Sequence, residues 1–487
     1  MSAGDLPQAV EGLQLNFCKT LACDNFGLSD AHRYIVQQTN PKRPAMVCRE
    51  CGAFPPLLNN QDVLEEFQRI KADQNADLPG CRNKACENFG LTIHTHKHLY
   101  HAFGYSGERQ RYRCKCCQST FVDKWSSSNR KLALQESLLG LLFTGYSVRE
   151  ICRKLHINPK SFYDHIEHIA SRCRSKLAMF DQRWLNHASK FELGSFFVPL
   201  QPKSNNGVYW LASGDAHSGY ILFQNVNYSL TDSPEGELEH NPFRSPTRYV
   251  ALNYQPESSM PERSNLSTIR EQIDNQYRAI LARNNVEDPL SNLTSFHYPS
   301  KGALIRPPYA SYAHYLQLFS LCSEDKPLAL YLPQDPFLRS AALTIGLPRI
   351  QAKNLDLMYV VGQWGNESPL EKVDIIHMGW WRDRWAIAEN HQYAKGICYL
   401  AGEQSSPKLW LQNASTDAIS TYQERFHLLF ESFVNEPRRK LRPAGLLPVL
   451  DIYRAWHNLC YQKRDGLTAA QSLGLANAPI SLKQLLS

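Results

Sequence analysis

An eleven-residue motif of this chain recurs, with seven positions identical. Cys18-Lys-Thr-Leu-Ala-Cys23-Asp-Asn-Phe-Gly-Leu returns as Cys81-Arg-Asn-Lys-Ala-Cys86-Glu-Asn-Phe-Gly-Leu, and each copy is followed by a C-x2-C pair, Cys48 and Cys51, then Cys114 and Cys117. Tetrahedral zinc takes four thiolates at about 2.3 Å, and two cysteines on one tight turn supply a pair. The spacing therefore predicts two zinc ribbons, one held by Cys18, Cys23, Cys48 and Cys51, the other by Cys81, Cys86, Cys114 and Cys117. Units of this size bury too little to fold alone, so the metal supplies most of their folding free energy. The turn contexts match as well, Gly52-Ala-Phe54 being echoed by Ser119-Thr-Phe121. Cys116 is a spare that could replace Cys117, and one of His94, His96, His98 and His101, otherwise a strand or loop face, could stand in for a cysteine.

Charge sharpens the division of labour. The net charge is +7, yet residues 1–80 hold 7 Lys and Arg against 10 Asp and Glu, while residues 81–174 hold 16 against 7. Positive charge gathered on one segment is what a phosphate-contacting module needs, although a solvated basic face has the same composition. In the second ribbon Arg109, Arg111, Arg113, Lys115 and Lys124 alternate with Tyr112, Phe121 and Trp125. That pattern fits phosphate contact, and also an ordinary half-exposed strand. The acidic first ribbon suits a protein partner. The first twelve residues carry acids and no leader pattern, and the longest apolar run, Leu138 to Tyr146, is far short of the roughly 18 residues a span requires. The expectation is a cytoplasmic protein, nucleoid-associated when DNA-bound and not in a membrane, whose 14 cysteines serve as ligands and free thiols.

Between the ribbons Val63 to Ile70 reads as a short helix. Beyond them Leu132, Leu134, Leu138, Leu139, Leu141 and Leu142 recur at helical spacing up to Gly145. Ser147 with Glu150 forms a capping box for a second helix to Leu155. The turn His156-Ile157-Asn158 and Pro159 open a third helix to about Arg172. This is a helix-turn-helix in outline, with Lys160, Ser161 and Tyr163 as base or phosphate contacts and Arg130 and Lys131 adding charge before them. A three-helix bundle without nucleic acid is the alternative.

After residue 180 strands are expected over Lys190–Leu200, Val208–Ser213 and Tyr220–Val226. Helices follow near 265–284 and 309–321, then a strand Pro327–Leu332, a helix Pro336–Ile345, a strand Leu355–Val361 and a long helix Ile419–Val434. A strand meander followed by alternating helices and strands matches an α/β RNase H-like domain. The full expectation is multidomain: residues 1–75 first zinc ribbon and linker helix, 76–127 second ribbon, 128–178 helix-turn-helix, and 188–475 the RNase H-like domain with insertions near 229–263 and 365–415.

The chain resembles the transposases of bacterial insertion sequences. The resemblance runs over nearly its whole length, through Arg-Tyr-Arg-Cys-Lys-Cys-Cys (111–117), Gly-Tyr-Ser-Val-Arg-Glu-Ile (145–151), Trp210 to Tyr220, Leu332-Pro-Gln-Asp335-Pro-Phe-Leu-Arg339 and Tyr453 to Leu475. It implies duplex DNA as partner, a homo-oligomer on that DNA, and an Asp-Asp-Glu triad using magnesium or manganese, two ions about 3.5–4 Å apart, to cut and join strands. Its positions fall on Glu192, Asp335 and Glu424. Glu192 replaces an Asp, and its longer arm strains a metal geometry that tolerates little error. Glu424 and Glu431 lie nearly opposite the apolar stripe Ile419, Tyr422, Phe426, Phe430 and Phe433, which is where solvated surface lies. Glu436 is a further candidate, and Asp215 reads as a turn former. The rival readings are a catalytically inactive transposase-derived DNA-binding protein, as regulator or component of a mobile-element or defence complex, and a zinc-ribbon scaffold acting through proteins.

Overall fold

The computed structural model describes residues 6–486 apart from 38–43, 75–77, 84, 94–95, 108, 124–128, 233–247, 253, 256–267, 283–287, 294, 366–367, 369, 371–372, 381–382, 403–405 and 436–441. The chain is mixed α/β and forms two compact units. Met1–Phe67, Ser189–His217 and Ile221–Thr421 make the first, and Gln68–Ala188, Ser218–Tyr220 and Tyr422–Ser487 the second.

In chain order, β1 (Tyr34–Gln37) and β2 (Ala45–Cys48) pair antiparallel in the first cysteine module, and α1 (Asn60–Gln74) follows. The second module is a three-stranded antiparallel sheet of β3 (Tyr100–Ser106), β4 (Arg109–Cys114) and β5 (Thr120–Val122). Three helices come next, α2 (Asn129–Phe143), α3 (Val148–Leu155) and α4 (Pro159–His187). The Glu150 carboxylate accepts the Ser147 N–H at 2.9 Å, closing the capping box read from the sequence. His156 ends α3 in the left-handed region at φ 52°, and Asn158 caps α4 by accepting the Ser161 N–H at 2.7 Å. That helix runs 29 residues, well past Arg172. Cys173, Leu177 and Trp184 continue beyond that point the buried face of Ile166, Ile169 and Ala170, and no Gly or Pro interrupts the helix.

The first unit's sheet uses β6 (Phe191–Pro199), β7 (Tyr209–Asp215) and β8 (Ile221–Val226) as an antiparallel meander. A small pair, β9 (Tyr228–Ser229) and β10 (Ala303–Leu304), brackets α5 (Ile269–Leu281). Then come α6 (Pro307–Leu321), β11 (Leu328–Leu332), α7 (Pro336–Ile345), α8 (Leu347–Gln351) and β12 (Leu355–Gln363). β11 lies parallel to both β6 and β12, and all five of its residues are buried. A strand covered on both faces loses the polar alternation of an exposed one.

The segment 365–415, read from the sequence as an insertion, supplies β13 (Ile376–Trp380), β14 (Asp383–Glu389) and β15 (Ala394–Ala401), then α9 (Pro407–Asn413). These strands extend the sheet antiparallel from β12, so its order is β13-β14-β15-β12-β11-β6-β7-β8. The expected helix Ile419–Val434 is two pieces, α10 (Asp417–Leu429) and α11 (Glu431–Val434), broken at Phe430, although the whole apolar stripe is buried. In the second unit α12 (Pro443–Leu459) packs along α4, and α13 (Ala469–Ser472) and α14 (Leu482–Leu486) complete it. Among the described residues no helix is long and apolar enough to cross a membrane.

Candidate metal centres and nucleic-acid interface

Each module brings its four cysteines together, all ligand atoms lying within 4.8 Å of one another. In the first, Cys18 and Cys51 Sγ are 3.5 Å apart and Cys23 and Cys48 Sγ 3.7 Å. In the second, Cys81 and Cys117 are 3.4 Å apart and Cys86 and Cys114 3.8 Å. Sulfurs about 2.3 Å from one ion at tetrahedral angles would be about 3.8 Å apart, so both sets fit one ion each. The two buried clusters of four cysteines could thus hold two structural metal ions. Cys117, not the exposed Cys116, completes the second set, and no histidine enters either cluster among the described residues. Burial raises the Cys18 and Cys86 thiols above their ordinary pKa. Thiolates therefore form with the cation's charge beside them, and metal binding releases protons.

The repeated Asn-Phe-Gly that follows the second cysteine of each motif has a structural reason. Asn25 donates its backbone N–H to Cys23 Sγ at 3.4 Å and its side-chain amide to Cys48 Sγ at 3.3 Å. Asn88 does the same to Cys86 at 3.4 Å and Cys114 at 3.2 Å. Such N–H bonds spread the charge of metal-bound thiolates. Gly27 and Gly90, at φ 74° and 77°, turn the chain so that their N–H groups reach Cys18 O and Cys81 O. Tyr34 and Tyr100 accept the N–H of Cys18 and Cys81 and donate to Leu28 O and Leu91 O. Sequence reasoning missed this tyrosine pair because it follows the first cysteine at unequal spacing, 16 and 19 residues.

The turn match needs shifting by one residue. Gly52 N–H bonds Cys48 O, and the equivalent bond to Cys114 O comes from Gln118, not Ser119. Phe54 is 58% exposed whereas Phe121 is buried, so those two are not equivalent either. Gly52 and Gln118 share the left-handed region, at φ 67° and 60°. A Cβ on Gly52 would touch nothing, which leaves backbone strain as the only cost of one. Gly52→Ala is therefore expected to lower stability by about 1 kcal/mol, and Gln118→Gly to raise it by a similar or smaller amount, because its side chain also bonds Lys115 O. Thermal melts of the metal-loaded variants check the pair, and equal shifts of one sign would contradict it.

In the second unit the basic residues converge. Arg109 is exposed on β4, Lys131 lies in the first turn of α2, and His165, His168 and Arg172 lie on α4. They are close enough to oppose one another's charge. Burial, then Arg172 and Arg109, hold the Lys131 pKa down. Burial and Lys131 lower His165, and burial, Lys131, Arg172, His165 and Arg109 push His168 to about 4. Asp123 and Asp164 are the acids that act on this group. His165 and His168 were not singled out in the sequence, where nothing links them to β4.

The other expected contacts are more scattered. Arg113 lies over the Phe103 ring at 3.5 Å, with Arg111 at 5.9 Å from it and donating to Thr120 Oγ1. Lys115 and Lys160 are exposed, Tyr163 is 38% exposed, and the Ser161 N–H is occupied by the Asn158 cap. Lys124 and the side chain of Arg130 lie outside the described residues.

Glu192 and Asp335 are not brought together. Glu192 pairs in register with Ala329 near the start of β11, where it accepts from His217 Nε2 at 3.0 Å and Lys190 Nζ at 3.3 Å. The His217 hydrogen bond, partly offset by burial, holds its pKa below the usual carboxylate range. Asp335 stands beyond the far end of β11, where its carboxylate caps α7 by accepting the Phe337 and Leu338 N–H groups at 3.1 and 3.3 Å. Because β6 and β11 run parallel with Gly194 opposite Tyr331, the β6 residue level with that far end is Ser195. Ser195 Oγ is 2.7 Å from Ser213 Oγ, which is 2.7 Å from His314 Nε2, whose Nδ1 is 2.6 Å from Asn225 Oδ1, a buried chain of neutral groups. Glu424 is exposed on α10, on the face away from the buried stripe, and Asp215 accepts the His217 N–H as a turn former. Glu436 lies outside the described residues. No protein-family model, curated protein or solved structure matches this chain.

Proposed function

We propose that this is a transposase-derived protein that binds duplex DNA without cutting it, with zinc in both four-cysteine centres. The observation that carries the binding is the gathering of Arg109, Lys131, His165 and His168 from three elements of one unit, β4, α2 and α4, at exposed or half-buried positions where a phosphate would meet positive charge. In this reading α2 to α4 are a helix-turn-helix presenting Lys160 and Tyr163, and β3 to β5 bring arginines to the backbone. The meander β6–β8 with β11 and β12 parallel on its first-strand side supports an RNase H-like ancestry. Cutting has no such support, since Glu192 is level with the start of β11 while Asp335 lies beyond its end, where it caps α7. The exposed Leu21, Leu28, Ile35 and Phe54 favour a protein partner on the first ribbon.

Fluorescence anisotropy on a duplex of a few helical turns tests the reading. Arg109→Ala and Lys131→Ala are each expected to weaken binding roughly five- to tenfold near 0.1 M salt and to reduce the salt slope by about one. Absence of duplex binding by metal-loaded protein at low salt would sink it. Magnesium- or manganese-dependent nicking that disappears in Asp335→Ala would overturn the non-cutting part alone.

A further inference from the structure

The first unit contains a cavity of about 930 Å3, at the upper end of the range of small-molecule sites. Its sheet side is floored by Ala386 and Ile397, a registered pair on β14 and β15, with Tyr399 beside them and Trp410 of α9 as a further wall. The Tyr399 hydroxyl is tied to Asp356 Oδ1 at 2.7 Å, which fixes that ring. Arg384 and His377 line the same cavity with exposed side chains. Asp383 is the carboxylate on the lining, and it is already engaged by Arg339 at 3.0 Å and by the Tyr277 hydroxyl at 2.6 Å.

An apolar floor with two aromatic walls suits a flat ring, and an arginine beside a histidine suits a phosphate. We propose that this cavity binds a nucleotide unit, its base against Trp410 and Tyr399 and its phosphate on Arg384 and His377. The phosphate is assigned to Arg384 and His377 because Arg339, the other arginine on the lining, is held by Asp383. The site uses no residue of the duplex-binding face. It accepts either a free nucleotide or an unstacked nucleotide of a single strand, whose base is likewise exposed.

Calorimetric titration of the full-length, metal-loaded protein with 5′-AMP tests this. Wild type is expected to bind; Arg384→Met is expected to weaken binding about tenfold, as is omission of the phosphate by using adenosine. Trp410→Ala removes the ring on which the base would stack, for an expected loss of about tenfold. Anisotropy on duplex DNA with the same preparations should be unchanged in both variants, which separates this site from the duplex-binding reading. Displacement of AMP by a short single-stranded oligonucleotide assigns the strand as source, and AMP binding without such displacement assigns the free nucleotide. No binding of AMP or of the oligonucleotide, or AMP binding indifferent to both substitutions in folded protein, overturns the proposal.

Discussion

Removing metal with a strong chelator is expected to unfold both cysteine modules and, with the second, to abolish duplex binding. In the second module the buried apolar residues clustered with the cysteines are Ile93, Tyr100 and Phe121. At about 1.5–3 kcal/mol each, their burial stabilises by less than 10 kcal/mol. Ordering some forty residues costs roughly 1–2 kcal/mol apiece in backbone entropy, far beyond what that core returns. A structural zinc contributes about 10–16 kcal/mol in small ribbon-like peptides, more than the whole of that core supplies. The protein as purified should therefore contain two ions per chain by elemental analysis, and Cys48→Ser and Cys114→Ser should each lose one. Asn88→Ala removes the side-chain N–H bond to Cys114 and should weaken the second site about 10- to 100-fold without touching a ligand. A chain that retains its near-ultraviolet dichroism and protected thiols after chelation would show the modules to be held by something other than metal.

The ligands were legible because their information is local. Four cysteines, their spacing and the recurring Asn-Phe-Gly all sit within short windows, and zinc chemistry accepts few alternatives. The shifted turn match shows the limit of identity alone. Gly52 and Gln118 do not resemble one another as letters, yet they share a backbone conformation that only the hydrogen bonds to Cys48 O and Cys114 O reveal. The same holds for the caps, where Ser147 with Glu150 and Asn158 before Pro159 were readable from a few residues.

What the sequence withheld depends on pairing across long separations. The carboxylate alignment put Glu192 with Asp335, but strand register decides which residue of β6 faces the end of β11, and that residue is Ser195. A slip of three positions is invisible in a run such as Phe191 to Val198, where most residues are apolar whichever end is considered. The three strands of 376–401 lie in a stretch that reads as an insertion until β12 supplies an edge to pair with. The convergence of Arg109 with Lys131 and His168 likewise needs a strand and two helices to meet.

Acid is expected to unfold this protein through His314 and His457, one in each unit. Both are almost wholly buried, at 1% and 4% exposure, and burial pushes both down to about 3. Their partners require the neutral ring. His457 Nε2 donates to Gly219 O at 2.9 Å while Nδ1 accepts from Arg425 at 2.9 Å, so a proton on Nδ1 would face a guanidinium. His314 Nδ1 donates to Asn225 Oδ1 and Nε2 accepts from Ser213. In the unfolded chain both titrate near their ordinary value of 6.5. Between that value and about 3 the unfolded state therefore binds more protons than the folded one, and stability falls as pH falls. Each histidine contributes a slope of about 1.4 kcal/mol per pH unit, or about 3 kcal/mol by pH 4.5, against a margin of roughly 5–15 kcal/mol for a domain. Above pH 7 neither contributes a slope. Melting temperature measured from pH 8 to pH 4 should thus be flat and then fall steeply below about 6. His457→Gln keeps an acceptor for Arg425 and a donor for Gly219 but cannot titrate. Whatever it costs at pH 8, it should shrink the acid slope of the unit that contains it, and an unchanged slope would place the acid sensitivity elsewhere.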